Sequence, residues 1–234
     1  MKADNVKRAL ARLADKDKAR ILARFFKTGK GQYGAGDKFL GITVPAQRQI
    51  AKQFQNLPLS EVAKLLASPI HEHRLTAVLI LVDKFQQAVE AEKQKIVKFY
   101  LSRTKYINNW DLVDLSADKI LGAWLIDKDR RILNKLSKSK NLWERRIAMI
   151  STFAFIKAGE VKDTWRLAKN LLGDSHDLLH KATGWMLREA GKRDLAGLKK
   201  FLNEHKHKMP RTMLRYAIEK FNEAERKQYL KNKR

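Results

Sequence analysis

Asn108-Asn109-Trp110-Asp111, Asn141-Leu142-Trp143-Glu144 and Asp174-Ser175-His176-Asp177 repeat one arrangement at intervals of 33 residues. A side chain that accepts hydrogen bonds stands three residues ahead of a carboxylate, the spacing at which the orphan N–H groups of a first helical turn are satisfied. The spacing predicts helices opening at Asn108, Asn141 and Asp174. Ser68-Pro69 and Pro210 add two more openings, because the fixed φ and missing N–H of proline suit the first helical position.

Between these openings, apolar residues recur at three and four spacings through Ala19–Phe26, Ile42–Phe54, Leu59–Leu66, Leu75–Phe85, Ile96–Leu101, Trp110–Leu125, Leu142–Ile156, Val161–Leu172, Leu178–Ala190, Leu195–Leu202 and Met213–Phe221. Alternating runs of Val, Ile, Thr and aromatics joined by hairpin turns are nearly absent, and Asn-Gly and Asp-Gly do not occur. Helix starts at a fixed interval, with a second helix in each gap, predict an all-α chain built as an α-solenoid, a superhelix of about six stacked helix pairs. One domain over residues 1–234 is expected, with one helix of each pair lining a concave basic face. A non-repetitive helical bundle is the competing architecture.

The charge says what such a face would meet. The 234 residues carry 50 Lys plus Arg against 25 Asp plus Glu, a formal net charge of +25. That surplus opposes the compact state unless a polyanion neutralises it, and nucleic acid is the leading partner. An anionic membrane would call for a concentrated basic amphipathic segment, whereas here the basic residues run through the whole chain. An inert basic surface is the third possibility. With 44% hydrophobic residues the chain can bury a core, so disorder is excluded. No apolar run of about 18 residues and no apolar signal core after Met1 are present, so a cytoplasmic protein without a membrane partner is expected. The absence of Cys removes disulfides, thiol nucleophiles, iron–sulfur clusters and thiolate zinc sites.

Several groups then compete for chemistry. Five of the eleven glycines fall within 29–41, in a stretch reading Thr28-Gly29-Lys30-Gly31-Gln32-Tyr33-Gly34-Ala35-Gly36-Asp37. It lacks the phosphate-loop pattern, and reads either as a basic loop that approaches a phosphate backbone or as a connection only. His176 and His180 have the i, i+4 spacing of zinc ligands without the HExxH pattern or an evident third ligand, so no metal is expected. Trp110 and Asp114, four apart, share a helix face at the margin of a stripe centred on Val113, Ile120 and Trp124. A carboxylate there can stabilise an oxocarbenium-like state, while an aromatic face holds a cation. The alternative is an Asp paired with a nearby Arg or Lys and a Trp that only packs. Arg146 and Trp185 are the remaining candidates, and helical periodicity alone does not single out Trp185.

On these residues the sequence resembles the AlkD-type DNA alkylation repair glycosylases, which are built from HEAT-like helix pairs. The resemblance spans most of the chain. It rests on Phe39-Leu40-Gly41-Ile42 with Pro45-x-x-Arg48, Trp110-Asp111-Leu112-Val113-Asp114, Trp143-Glu144-Arg145-Arg146 and Gly184-Trp185-Met186-Leu187-Arg188-Glu189. It implies base excision by hydrolysis of the N-glycosidic bond of positively charged purines, such as 3-methyladenine and 7-methylguanine, in duplex DNA, without a cofactor. In the family the lesion is handled in the concave cleft without extrusion into a pocket. By resemblance Trp110 and Trp185 contact the sugar, Asp114 stabilises positive charge and positions water, and Arg146 holds phosphate. Arg74, Lys181, Arg188, Lys30 and Arg48 complete the expected DNA-binding set of a monomeric protein. Phe25 or Phe26 stands where family members carry a tyrosine, and the Gly-rich stretch after Lys27 is longer than theirs. A non-catalytic binder of bent, damaged or branched DNA on the same scaffold is the alternative function.

Overall fold

The computed structural model describes residues 1–231, and those residues form fourteen α-helices and no strand. Their extended pairing is one isolated parallel bridge between Lys38 and Ile70. Helix follows helix through short connections, an all-helical architecture compatible with an α-solenoid of helical repeats. The packing divides into two compact units, Met1–Ile120 and Leu121–Arg234.

The first unit contains α1 (Ala3–Ala11), α2 (Lys16–Phe25), α3 (Val44–Gln53), α4 (Leu59–Leu66), α5 (His71–Gln87), α6 (Glu90–Leu101) and α7 (Trp110–Asp114). Helix α5 is its axis and packs against α1, α3, α4, α6 and α7. From His71 to Val82 every residue of α5 is buried, as expected of a helix covered on all sides. Helix α1 lies outside the predicted segments because only Ala3, Val6 and Leu10 face the core; its first amide donates to the Glu61 carboxylate at 2.7 Å.

The second unit contains α8 (Arg131–Ser137), α9 (Leu142–Lys157), α10 (Lys162–Asn170), α11 (Asp177–Gly191), α12 (Leu195–His205), α13 (Arg211–Ala217) and α14 (Glu223–Lys231). Helix α9 packs on α8, α10 and α11, and α11 packs on α12 and α13. A Cβ on Gly184 would meet the Met213 carbonyl oxygen and the Tyr216 Cβ at 2.5 Å each, so glycine at this position lets α11 and α13 approach closely.

The predicted openings are corrected in detail. Asn141 does cap α9, its Oδ1 accepting from the Trp143 amide at 2.9 Å. The cap of α7 is Asn109, not Asn108; its Oδ1 accepts from the Trp110 amide at 2.8 Å. The cap of α11 is His176, whose Nδ1 accepts from the Leu178 amide at 3.2 Å. Asp174 instead accepts from the His176 amide and binds Arg145 at 2.6 Å. Pro210 is the cap of α13 and not its first residue, and α5 opens at His71, beyond Ser68-Pro69. The continuous helix predicted over Trp110–Leu125 is broken: α7 ends at Asp114, and a π-turn covers Asp118–Gly122. Ser116 Oγ donates back to the Leu112 carbonyl at 2.6 Å, a bond of the kind that bends a helix.

Candidate functional site

Site geometry in the first unit begins with buried charge. Glu72, near the start of α5, accepts from the amides of Leu40 at 2.9 Å, Gly41 at 2.8 Å and Ile42 at 3.3 Å. These bonds fix the exit of the Gly-rich stretch. Gly41 has φ +86°, and a Cβ there would lie 2.1 Å from the Asp15 carbonyl oxygen, so the chain passes directly beneath the start of α2.

Beside Glu72 a second set of charges ties the loop to α7. His71 Nε2 lies 2.8 Å from Asp111 Oδ2, and His71 Nδ1 lies 3.5 Å from Asp37 Oδ2. Asp37 is also 2.7 Å from the Arg74 guanidinium and accepts from Asn109 Nδ2 at 3.3 Å. Burial opposes a charged imidazole, but the adjoining Asp111 and Asp37 outweigh it and raise the His71 pKa to about 9. Burial likewise disfavours the Asp37 carboxylate, yet His71 and Arg74 lower its pKa below the usual value. The Gly-rich stretch is therefore more than a connection, because it delivers Asp37 to this cluster.

Above the charges sits an aromatic group. The Trp110 ring stacks on Phe26 with centroids 5.2 Å apart and planes at 15°, and meets the edge of Phe25 at 6.0 Å. Phe26 continues onto Phe39 at 5.1 Å, and both rings contact His71, at 4.8 and 4.7 Å. These rings, with Ile21, Leu22 and Leu115, wall a cavity of about 460 Å³ in which Asp114 also takes part. Ile21 and Phe25 line it while remaining 66% and 61% exposed, so it opens to solvent along α2. Trp110 and Asp114, read as sharing a face at the stripe margin, are both half-buried and both line this space. Apolar walls strengthen the field of a carboxylate, and aromatic faces favour a cation.

The other expected residues take varied positions. Arg74 is 3% exposed, committed to Asp37 and donating to the Ser68 carbonyl at 2.9 Å, so it offers no phosphate contact in this arrangement. Lys30 and Arg48 are exposed. In the second unit, Arg146 is buried and donates to the Leu178 carbonyl. Trp185 is half-buried with its ring 5.7 Å from Phe153. Arg188 is spent on Glu189 at 3.1 Å and on Glu219. Lys181 lies 2.8 Å from Asp177. His180 Nε2 bonds the Asp174 carbonyl at 2.5 Å, so the His176 and His180 pair serves the start of α11. Sequence reasoning missed Glu72, His71 and Asp37; the polar run His71-Glu72-His73-Arg74, immediately ahead of an apolar helix, was the available signal.

Comparison with known proteins bears on the whole chain. Residues 6–221 match the family model described as DNA alkylation repair enzyme. A search by sequence among curated proteins finds no match. Among solved structures, the fold is similar to a predicted DNA alkylation repair enzyme from Enterococcus faecalis, with a TM-score of 0.69 and 16% identity, over 90% of this chain and 97% of that one.

Proposed function

Because the chain belongs to the DNA alkylation repair enzyme family, we propose that it hydrolyses the N-glycosidic bond of positively charged alkylated purines, 3-methyladenine and 7-methylguanine, in duplex DNA. The observation that carries this reading is the cavity shared by Trp110 and Asp114, which sets a carboxylate against aromatic walls in a chain of net charge +25. A carboxylate beside aromatic walls is suited to stabilise a cation that enters the cavity.

A methylated purine already carries the positive charge that makes it a leaving group. As the bond from C1′ to the base nitrogen breaks, the electron pair goes to the base, which leaves neutral, and positive charge passes to the sugar. Asp114 stabilises that oxocarbenium-like sugar and orients the water that adds to C1′; the proton released goes to the carboxylate or to solvent. Little general-acid help is needed. Trp110 supplies an aromatic face for the cation.

The test is chromatographic detection of free methylpurine after the pure protein is incubated with methylated duplex DNA. Release by the wild type, reduced in Trp110→Ala, is expected. Binding of the duplex with no base released would overturn the enzymatic reading in favour of a non-catalytic binder of damaged or bent DNA.

A further inference from the structure

We infer that His71 is a positioning residue for Trp110 and Asp114, joining α7 to α5 and to the end of the Gly-rich stretch; as a role in base release this rests on the proposed glycosylase reading. Helix α7 has only five residues, a little over one turn, and cannot persist on its own propensity. Something outside it must fix the two side chains that line the cavity. The structure supplies grips at the two residues that flank Trp110, and both converge on the same cluster. Asp111, adjacent to Trp110 and three residues before Asp114, is held by His71 Nε2 at 2.8 Å. Asn109, the cap on the other side of Trp110, is held by Asp37, which in turn faces His71 Nδ1 at 3.5 Å.

The imidazole also acts through its ring. It lies against Phe26, and Phe26 stacks on Trp110, so the plane of Trp110 is set from below by the same side chain that fixes its backbone. His71 is only 2% exposed, which keeps water from substituting for these contacts.

The doubly protonated ring donates from Nε2 to Asp111 and turns its Nδ1–H, which has no hydrogen-bond partner, toward Asp37 at 3.5 Å, so its positive charge lies between two carboxylates. The charged groups facing it are Asp111 from α7, Asp37 from the loop and Arg74 from α5, while Lys18 of α2 and Glu72 of α5 line the same cavity. Loss of the proton removes the positive charge between Asp111 and Asp37 and leaves one carboxylate facing a lone pair, which weakens the hold on α7. The raised pKa of about 9 agrees with a ring that stays charged at neutral pH.

The experiment follows Trp110 directly, as the fluorescence difference between the wild type and Trp110→Phe, titrated from pH 6 to 10.5, in the native chain and in His71→Gln. His71→Gln keeps a donor toward Asp111 but removes the ring and the charge. The wild type is expected to show a transition near pH 9 that is missing from His71→Gln. On methylated duplex at pH 7, His71→Gln should lower kcat about tenfold, equivalent to about 1.4 kcal/mol, with KM and undamaged-duplex affinity within about twofold of the wild type. A part in helix packing alone predicts no alkaline transition in Trp110 fluorescence and no selective change in kcat.

A Trp110 signal independent of pH, or the same transition in His71→Gln, overturns the inference, as does unchanged kcat. Should His71→Gln not fold, Asp111→Asn replaces it: the His71 proton resonances must then titrate at lower pH than in the wild type, and unchanged titration counts against the role. If the wild type releases no base, the glycosylase reading fails, while the Trp110 titration still decides the positioning of α7.

Discussion

Gly41→Ala tests how the cavity wall is held in place. The position has φ +86°, a conformation that costs an L-residue roughly 1–2 kcal/mol. The added Cβ would lie 2.1 Å from the Asp15 carbonyl oxygen and 2.7 Å from the Ala19 amide nitrogen, and both are backbone atoms that cannot rotate away. Restoring a contact of about 3 Å moves the start of α2 by about 1 Å, at a strain typical of overpacking, about 1–3 kcal/mol. Asp15 is also the cap of α2, its Oδ1 accepting from the Asp17 and Lys18 amides at 3.0 Å, and its own amide donates to the Leu40 carbonyl at 2.8 Å. A disturbed cap adds about 1 kcal/mol. The sum is a loss of about 3–6 kcal/mol, read in urea unfolding followed by far-UV circular dichroism. Because Ile21, Leu22 and Phe25 ride on α2, the cavity wall should move too, and Trp110 fluorescence should change in the folded variant. A loss below about 1 kcal/mol with unchanged Trp110 fluorescence would refute the claim that this close passage sets the wall.

Glu72→Gln turns an acceptor-only group toward three backbone donors into one that carries its own N–H groups, and should destabilise the chain by about 2–4 kcal/mol in the same urea assay. Thermal stability should peak near pH 6.5, because two neighbouring histidines pull in opposite directions. Burial, with Lys7 and Arg74 nearby, lowers the His73 pKa to about 4, so its contribution is complete above 6.5 and is lost as the pH falls toward 4. The His71 pKa is raised to about 9, so its contribution is complete below 6.5 and is lost as the pH rises toward 9. Each limb should have a slope of at most about 1.4 kcal/mol per pH unit, and His73→Gln should remove only the acid limb. In duplex binding, Arg48→Ala and Lys30→Ala should each reduce the salt dependence by about one unit if these exposed cations meet phosphate. Arg74→Ala should leave that slope alone and cost about 2–3 kcal/mol of stability, since it takes from buried Asp37 its nearest cation and leaves His71 and Asn109 to hold it.

Much of the helical framework is legible in the sequence because its helices bury continuous stripes, as Leu59–Leu66 shows by matching α4 end to end. Helices α1, α8 and α14 are harder to read. In α8 only Leu133, Leu136 and Ser137 are buried, and in α14 no residue is, so their periodicity is faint. The fixed interval of 33 residues holds only approximately: the caps are Asn109, Asn141 and His176, 32 and 35 residues apart, since any short acceptor side chain can cap and tertiary partners choose which one does. Trp110 and Asp114 were legible as a pair on one face. Arg74 was not legible as an interior cation, because its partner Asp37 is distant in sequence and reaches it through the glycine turns. The cavity could not be read at all: Phe25 and Phe26 lie on α2, Phe39 follows the loop, and only the folded chain stacks them on Trp110.

The most direct measurement is single-turnover release of 7-methylguanine from a defined duplex by the wild type and by Asp114→Asn, with duplex affinity determined for both. Measurable release by the wild type is expected, with at least a 100-fold slower rate for Asp114→Asn, on the scale of losing one electrostatic stabiliser, and affinity for undamaged duplex nearly unchanged. Equal rates for the two proteins would contradict the role given to the carboxylate.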